Sequence, residues 1–294
     1  MKIWITGSAG FLGSRLYQQL IADGHEVVGL SRRTTTQENS YSVDLANSSS
    51  LETLNAIRAD IGTPDVVIHT ASRQPGLKGD LPDYVKSNLK TTANLVEALR
   101  DSPPKQLIYT STLSVYGRPS ANPVDEKSPA GGELPYSATK RWAEEVVENA
   151  HAFPSRLVLR LPSLYGKGQE DSFIDGLARM AMRNEPIQLF GQGKLVRDAL
   201  HVSDVVSAIQ SSINRPPTEE FVCLNVGCGR SLTTKEWAEA LAEVLESTSP
   251  IELTDRAVSQ FDLYANIELA QSTIGFYPTE LRESLTRYAD ELRA

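Results

Sequence analysis

Tyr136 and Lys140 stand four residues apart in Tyr136-Ser137-Ala138-Thr139-Lys140, a spacing that puts both side chains on one face of a helix. Moving a hydride to or from a carbinol carbon needs a group that takes or supplies the hydroxyl proton. A free phenol titrates near pH 10, too high for a base at neutral pH, and a nearby ammonium favours the phenolate and lowers that value. Tyr136 is therefore expected to exchange the proton and Lys140 to tune it. Alone, Y-x-x-x-K is a weak signal, equally compatible with a surface pair at the start of a helix. A third group strengthens it. Thr112 closes the run Thr110-Ser111-Thr112 at the carboxyl end of an expected strand, where its hydroxyl can steady a substrate oxygen between itself and Tyr136.

Hydride chemistry requires a carrier, and the start of the chain offers a place for one. Thr6-Gly7-Ser8-Ala9-Gly10-Phe11-Leu12-Gly13 lies between an apolar run and a helical pattern, with glycines spaced G-x-x-G-x-x-G. Such a turn lets backbone N–H groups approach a pyrophosphate and aims a helix N-terminus at it. Gly7, Gly10, Phe11, Leu12 and Gly13 are the expected contacts, and Lys140 would also hold the nicotinamide ribose. The alternative is a glycine-rich β–α turn without a ligand. The end of the second strand reports which dinucleotide is taken. An NAD site places a carboxylate there for the ribose 2′-hydroxyl, and a 2′-phosphate calls for arginine. Here Ser31-Arg32-Arg33 offers two guanidiniums able to grip a phosphate, unless both are merely solvated. NADP is expected, with NAD possible.

These residues need elements to position them. Short β-rich runs at 2–6, 26–30, 65–71, 106–111 and 156–162 alternate with helical patterns at 11–23, 49–60, 83–101 and 136–151. That alternation predicts parallel strands with right-handed crossovers, a doubly wound α/β sheet of the Rossmann kind. After Gly166 the rhythm changes: helices at 172–183, 203–214, 233–246 and 279–292 accompany strands at 221–226 and near 251. The expected organisation is a dinucleotide-binding domain over 1–165 and a smaller, mostly helical substrate lobe over 166–294, with about 198–226 rejoining the sheet. Ligands of open parallel sheets sit beyond the carboxyl ends of the strands, which places the substrate in a cleft between the two.

Composition removes whole classes of partner. A net charge of −8 argues against a nucleic-acid backbone or an anionic membrane. Cys223 and Cys228, the two cysteines of the chain, show no metal-ligand spacing and fit a reducing compartment. The opening MKIWITGSAGFLG does not read as a signal peptide, and no apolar run approaches the roughly 18 residues of a membrane span. A cytoplasmic protein without a metal is expected.

Taken together, the motifs resemble those of the extended short-chain dehydrogenase/reductases, in the NAD-dependent epimerase/dehydratase family that acts largely on nucleotide sugars. The glycine turn is similar to that family's TGxxGFLG, Thr112-Leu113-Ser114-Val115-Tyr116-Gly117 to its S/T-x-x-V-Y-G, and Tyr136 to Lys140 to its YxxxK. Arg160-Leu161-Pro162-Ser163-Leu164-Tyr165-Gly166, the block from Gly191 through Arg197-Asp198 to Val205, Asn225-Val226-Gly227, and Ile274 to Pro278 are family-like too. The resemblance implies that Asp44 and Leu45 meet the adenine and that Ala71 and Ser72 lie on the nicotinamide side. It also implies that Asn88 organises the site, that Pro162 borders the cofactor, and that Ser163 and Arg197 contact substrate, Arg197 at a diphosphate. The alternative for Arg197 is an ion pair with Asp198. His201 has no assigned chemistry and is expected to pack the loop.

Three departures qualify the resemblance. Leu113 and Ser114 replace the acidic pair of the sugar-nucleotide dehydratases, which argues against elimination of water. Ser163 replaces a substrate-contacting asparagine, and Ser31-Arg32-Arg33 replaces the aspartate of NAD-dependent 4-epimerases. The leading expectation is an NADP-linked reductase of a keto group on a nucleotide-linked or related sugar. A nucleotide-sugar 4-epimerase with transient C4 oxidation is the close alternative, and a non-catalytic NADP-binding sensor the third. Family resemblance also implies a homodimer through the helices at 83–101 and 136–151.

Overall fold

The computed structural model describes residues 1–33, 36–75, 79–170 and 172–294. In chain order the first half runs β1 (Lys2–Thr6), α1 (Phe11–Ala22), β2 (Glu26–Ser31), β3 (Ser40–Ser42), α2 (Ser50–Ile61), β4 (Val66–His69), α3 (Leu81–Tyr84), α4 (Thr91–Leu99), β5 (Gln106–Thr112), α5 (Pro135–Glu148) and β6 (Ser155–Leu161). The second half runs β7 (Ser163–Tyr165), α6 (Phe173–Met182), β8 (Ile187–Leu189), β9 (Ala199–His201), α7 (Val202–Asn214), β10 (Phe221–Asn225), α8 (Thr234–Val244), β11 (Ile251–Leu253), α9 (Glu268–Ile274) and α10 (Leu281–Arg293).

Seven strands form one parallel sheet in the order β10-β6-β5-β4-β1-β2-β3. Its central strands are apolar on both faces because helices cover both. Ile3 and Ile5 of β1 pack with Leu16 and Leu20 of α1 and Val205 and Ile209 of α7 on one side. Trp4, between them, packs with Leu54 of α2, Leu95 of α4 and Val147 of α5 on the other. The chain builds outward from β1 through β2 to β3, then returns to β4 on β1's opposite flank. Strand order therefore reverses between β1 and β4, the place where open sheets of this kind bind ligands.

A smaller cluster, centred on Trp237 of α8, joins α6, α8 and α10, with Tyr165, Leu189 and Tyr288 in its core. Two short parallel pairs, β7 with β9 and β8 with β11, lie beside it. These three-residue strands, like β3, are too short for a two-residue period to register in the sequence.

The helix expected over 83–101 is interrupted. Between α3 and α4 the chain makes a π-helical turn at Val85–Lys90. There Thr91 Oγ1 donates to the Ser87 carbonyl at 2.9 Å and Thr92 Oγ1 to the Asn88 carbonyl at 2.8 Å, side-chain bonds that compete with the regular helical ladder. The turn places Asn88 in the interior at 1% exposure.

Candidate active site

The reversal point of the sheet is lined by the glycine turn. Gly7 has φ +72°, and its N–H donates to the Leu30 carbonyl at 2.7 Å. A Cβ there would sit 2.9 Å from the backbone of Ala71, and one on Gly13 would overlap the Gly7 carbonyl. Glycine at both positions lets the turn after β1 lie flat against the end of β4. Gly10 is the N-cap of α1, with no side chain capping it and no acidic residue in the first turn, so the helix presents its positive end, at Phe11, Leu12 and Gly13, to the crevice.

The other sequence-selected cofactor residues surround this turn in different states. Ser31 is buried and its Oγ donates to the Arg33 carbonyl at 2.5 Å. Arg32 and Arg33 are exposed, and neither forms an ion pair among the described residues. Asp44 is exposed, with Oδ1 accepting from the Ala46 N–H at 3.1 Å, while Leu45 is buried. The Ala71 N–H donates to Thr6 Oγ1 at 3.3 Å, and Ser72 Oγ accepts from Gln74. Pro162 and Ser163 follow β6, both half-buried.

Beyond the strand ends, α5 opens with Pro135 at its first position and carries Tyr136 one residue later. The Thr112 hydroxyl acts on the Tyr136 phenol from the end of β5, and the Tyr84 ring meets the Tyr136 ring edge-on at 6.2 Å. Burial pushes the phenol up to about 12, Tyr84 adds to that, and the Thr112 hydroxyl opposes it. Lys140 lies one turn deeper at 2% exposure. Its Nζ donates to the Thr110 carbonyl at 2.6 Å and sits 4.2 Å from the centre of the Tyr109 ring. Burial brings this amine down to about 7, against the pull of Glu144. In this structure Lys140 is engaged by the Thr110 carbonyl, and burial is the largest influence on the phenol.

Polar groups support the site from below, Asn88 among those the sequence singled out and Glu144 and His69 among those it did not. Asn88 accepts the Arg73 N–H at 2.7 Å and donates to Thr139 Oγ1 at 3.2 Å, tying the π-turn to α5. Glu144, four residues beyond Lys140, accepts from Ser111 Oγ at 2.5 Å and from Arg160 at 3.1 and 2.8 Å. His69 is buried between Thr6 Oγ1 at 2.6 Å and Thr92 Oγ1 at 3.0 Å, and burial brings it down to about 3. The i,i+4 step from Lys140 to Glu144 was visible in the sequence; the partner on β6 was not.

Arg197 is half-buried, its guanidinium 5.2 Å over the Phe173 ring. It forms no ion pair among the described residues, and its neighbour Asp198 is committed elsewhere. Asp198 accepts the backbone N–H groups of Cys228 at 2.9 Å and Ala265 at 3.2 Å. The alternative ion pair between them is therefore not formed. His201 is buried at 1%, edge-on to Tyr165 at 5.2 Å, with Nδ1 2.8 Å from Ser203 Oγ. A separate cleft of about 600 Å³, bordered by Arg230, Tyr264, Gln271 and Tyr277, contains none of Thr112, Tyr136 and Lys140. Among the described residues no three His, Cys, Asp or Glu side chains are grouped to hold a metal ion, and no helix is long and apolar enough to cross a membrane.

A glycine turn at the sheet's reversal point and a Thr–Tyr–Lys set beyond it form one ensemble, and the sequence match covers both. Residues 3–227 match the NAD dependent epimerase/dehydratase family. The chain belongs to that family. A UDP-glucose 4-epimerase of Mycolicibacterium smegmatis is 30% identical, over 82% of this chain and 82% of that protein. A probable UDP-glucuronate 4-epimerase of Rhizobium meliloti is 26% identical, over 99% of this chain and 96% of its own length. Among solved structures, MoeE5 in complex with UDP-glucuronic acid and NAD superimposes with a TM-score of 0.85 at 28% identity, covering 100% of this chain and 99% of that one. The chain is thus an enzyme of a nucleotide-sugar family on a Rossmann-type sheet.

Proposed function

We propose that this enzyme is a nucleotide-sugar 4-epimerase acting on a UDP-sugar, with a nicotinamide dinucleotide seated on Gly7 to Gly13. The observation that carries the reading is the placement of Thr112 at the carboxyl end of β5 with Tyr136 and the buried Lys140 on the first turns of α5. Leu113 and Ser114 offer no carboxylate beside Thr112, so the site is equipped for proton exchange at one carbinol oxygen and not for elimination of water. The dinucleotide, when bound, supplies the hydride acceptor and donor. Tyr136 is neutral in the free site, the state that delivers a proton to a keto oxygen, and Thr112 holds that oxygen. The uncapped end of α1 suits a pyrophosphate, Lys140 would hold the ribose, and Asp44, Leu45, Ala71, Ser72, Asn88 and Pro162 would border the remaining parts. Arg197, without a carboxylate partner, is suited to the diphosphate of the sugar nucleotide, next to Ser163. Support for the 4-epimerase over the reductase comes from the names of the relatives above.

A specific observation favours a second reading. The unpaired, exposed Arg32 and Arg33 suit a 2′-phosphate, and NADP fits a reductase that releases its cofactor each turnover. The deciding experiment incubates the protein with UDP-glucose, UDP-galactose, UDP-glucuronic acid and GDP- and dTDP-sugars, with NAD, NADP or their reduced forms. Epimerisation without net absorbance change at 340 nm is expected; stoichiometric NADPH consumption by the corresponding 4-keto sugar would establish the reductase instead. If no sugar nucleotide is turned over, both readings fail and a dinucleotide-binding sensor remains.

Three coarser features belong to the same reading. The sheet through β10 binds the dinucleotide, and the lobe built on α6, α8 and α10 closes over the sugar nucleotide. Trp142 and Leu134, 43% and 70% exposed on and before α5, suit a homodimer built on α4 and α5. Two free cysteines suit a reducing cytoplasm.

A further inference from the structure

Thr112 is held by its own turn. The Ser114 N–H donates to Thr112 Oγ1 at 3.2 Å, and Ser114 Oγ lies 3.1 Å from the same oxygen. Both come from the 3-10 turn Leu113–Tyr116, which Thr112 caps from an extended backbone. Leu113, Val115 and Tyr116 of that turn are buried in the cluster with Val124 and Ala265. Ser114 alone is half-exposed, on the side of Thr112.

A hydroxyl has one proton to give and two lone pairs to receive with. When Ser114 supplies both its N–H and its O–H, the lone pairs of Thr112 are filled, and the Thr112 proton must point away from the turn. The Tyr136 phenol is within reach of that hydroxyl's influence, which opposes the rise that burial causes in its pKa. We propose that Ser114 is a positioning residue that fixes Thr112 as the hydrogen-bond donor to the substrate oxygen held between Thr112 and Tyr136. This rests on the reading of Thr112 and Tyr136 as the site of proton exchange. A preset donor costs no reorientation as negative charge grows on that oxygen, so its effect is felt in the chemical step and not in ground-state binding. A carboxylate at position 114 would do the opposite, accepting the Thr112 proton and turning it inward.

The test is a double-mutant cycle on turnover of whichever UDP-sugar among UDP-glucose, UDP-galactose and UDP-glucuronic acid the wild type converts. Ser114→Ala is expected to lower kcat about three- to tenfold, the worth of one hydrogen bond, with KM for the sugar nucleotide unchanged. Thr112→Val is expected to lower kcat about 100-fold. The double variant should be no slower than Thr112→Val, because Ser114 acts only through Thr112. A wild-type kcat in Ser114→Ala, or losses that multiply in the double variant, overturns the role of Ser114 while leaving the site intact. Full activity in Thr112→Val, or a wild type that converts none of the three sugars, removes the underlying reading, and the proposal with it. Unchanged melting temperatures of the half-exposed Ser114→Ala and of Thr112→Val separate these outcomes from misfolding.

Discussion

Arg160 holds Glu144 by two parallel hydrogen bonds, Nε to Oε1 at 3.1 Å and Nη2 to Oε2 at 2.8 Å, with both side chains sealed from solvent. The pair bolts α5, which carries Tyr136 and Lys140, to β6. Ser111 Oγ joins it from β5, one residue from the carbonyl that takes Lys140, and the Tyr116 hydroxyl accepts from Arg160 Nη1 at 2.9 Å while donating to Asn225 at 2.7 Å. Three elements, α5, β5 and β6, thus meet at one carboxylate, and Arg160 extends the network through Tyr116 to β10.

Removing that carboxylate leaves Arg160 buried without its counter-charge. Glu144→Gln is expected to lose about 3–5 kcal/mol of stability, read from urea unfolding at neutral pH. Replacing both partners, Glu144→Met with Arg160→Met, should cost less than the single change, because no uncompensated charge remains. A single variant within about 1 kcal/mol of wild type would mean the pair contributes little.

Arg197 and Asp198 are adjacent in sequence and separate in purpose. Asp198 fastens the loops at Cys228 and Ala265, so Asp198→Asn is expected to affect stability. Arg197→Met keeps the packing on Phe173 and removes the charge. If the guanidinium holds a diphosphate, its loss should weaken sugar-nucleotide binding about 10- to 100-fold, the worth of a charge-assisted hydrogen bond or two, with dinucleotide binding unchanged. Calorimetric titration with UDP and with the dinucleotide separates the two; equal loss of both, or of neither, contradicts the assignment.

His69 links stability to pH. Buried between two threonine hydroxyls, it stays neutral down to about 3, whereas in an unfolded chain it takes a proton near 6.5. Between those values the unfolded state binds more protons, so stability falls as pH drops through that window, by up to about 1.4 kcal/mol per pH unit from this residue. His69→Gln should flatten that slope between pH 6.5 and 4.5 while costing some stability at pH 7.5. Parallel stability curves for the two proteins would show that His69 does not carry the dependence.

How far the sequence reached depends on range. The order of β1, α1, β2, β4, β5 and β6 was legible because each strand is a bounded apolar run and each helix keeps its period over several turns. The glycine turn and the Tyr136–Lys140 spacing were legible for the same reason, being local. What escaped lies in long-range partners. Nothing near Asn88 in sequence announces Arg73 and Thr139, whose contacts accompany the π-turn. Nothing near Lys140 in sequence announces the carbonyl of Thr110, thirty positions away, which takes its Nζ. Of the short pairs only β11, the strand expected near 251, was legible; β7, β8 and β9 escaped because three residues carry no period.

The proposed choice of cofactor turns on Arg32 and Arg33, where sequence and family point in different directions. The relatives' structures hold NAD, while this chain has no carboxylate in Ser31-Arg32-Arg33 to receive a ribose 2′-hydroxyl. Ser31 is turned inward onto the Arg33 carbonyl, and the exposed Arg32 and Arg33 are the groups proposed to receive a 2′-phosphate. A guanidinium–phosphate contact is worth about 1.5–3 kcal/mol, roughly 10- to 150-fold in affinity. Replacing both arginines by alanine is therefore expected to weaken NADP at least tenfold and to change NAD less than threefold. Added salt should erode wild-type NADP affinity more steeply than that of the variant. Melting shifts at matched concentrations of the two dinucleotides give the first comparison, and calorimetry gives the constants. Tighter binding of NAD than NADP by the wild type, unchanged in the double alanine variant, would mean that both arginines are solvated loop residues and that the enzyme uses NAD.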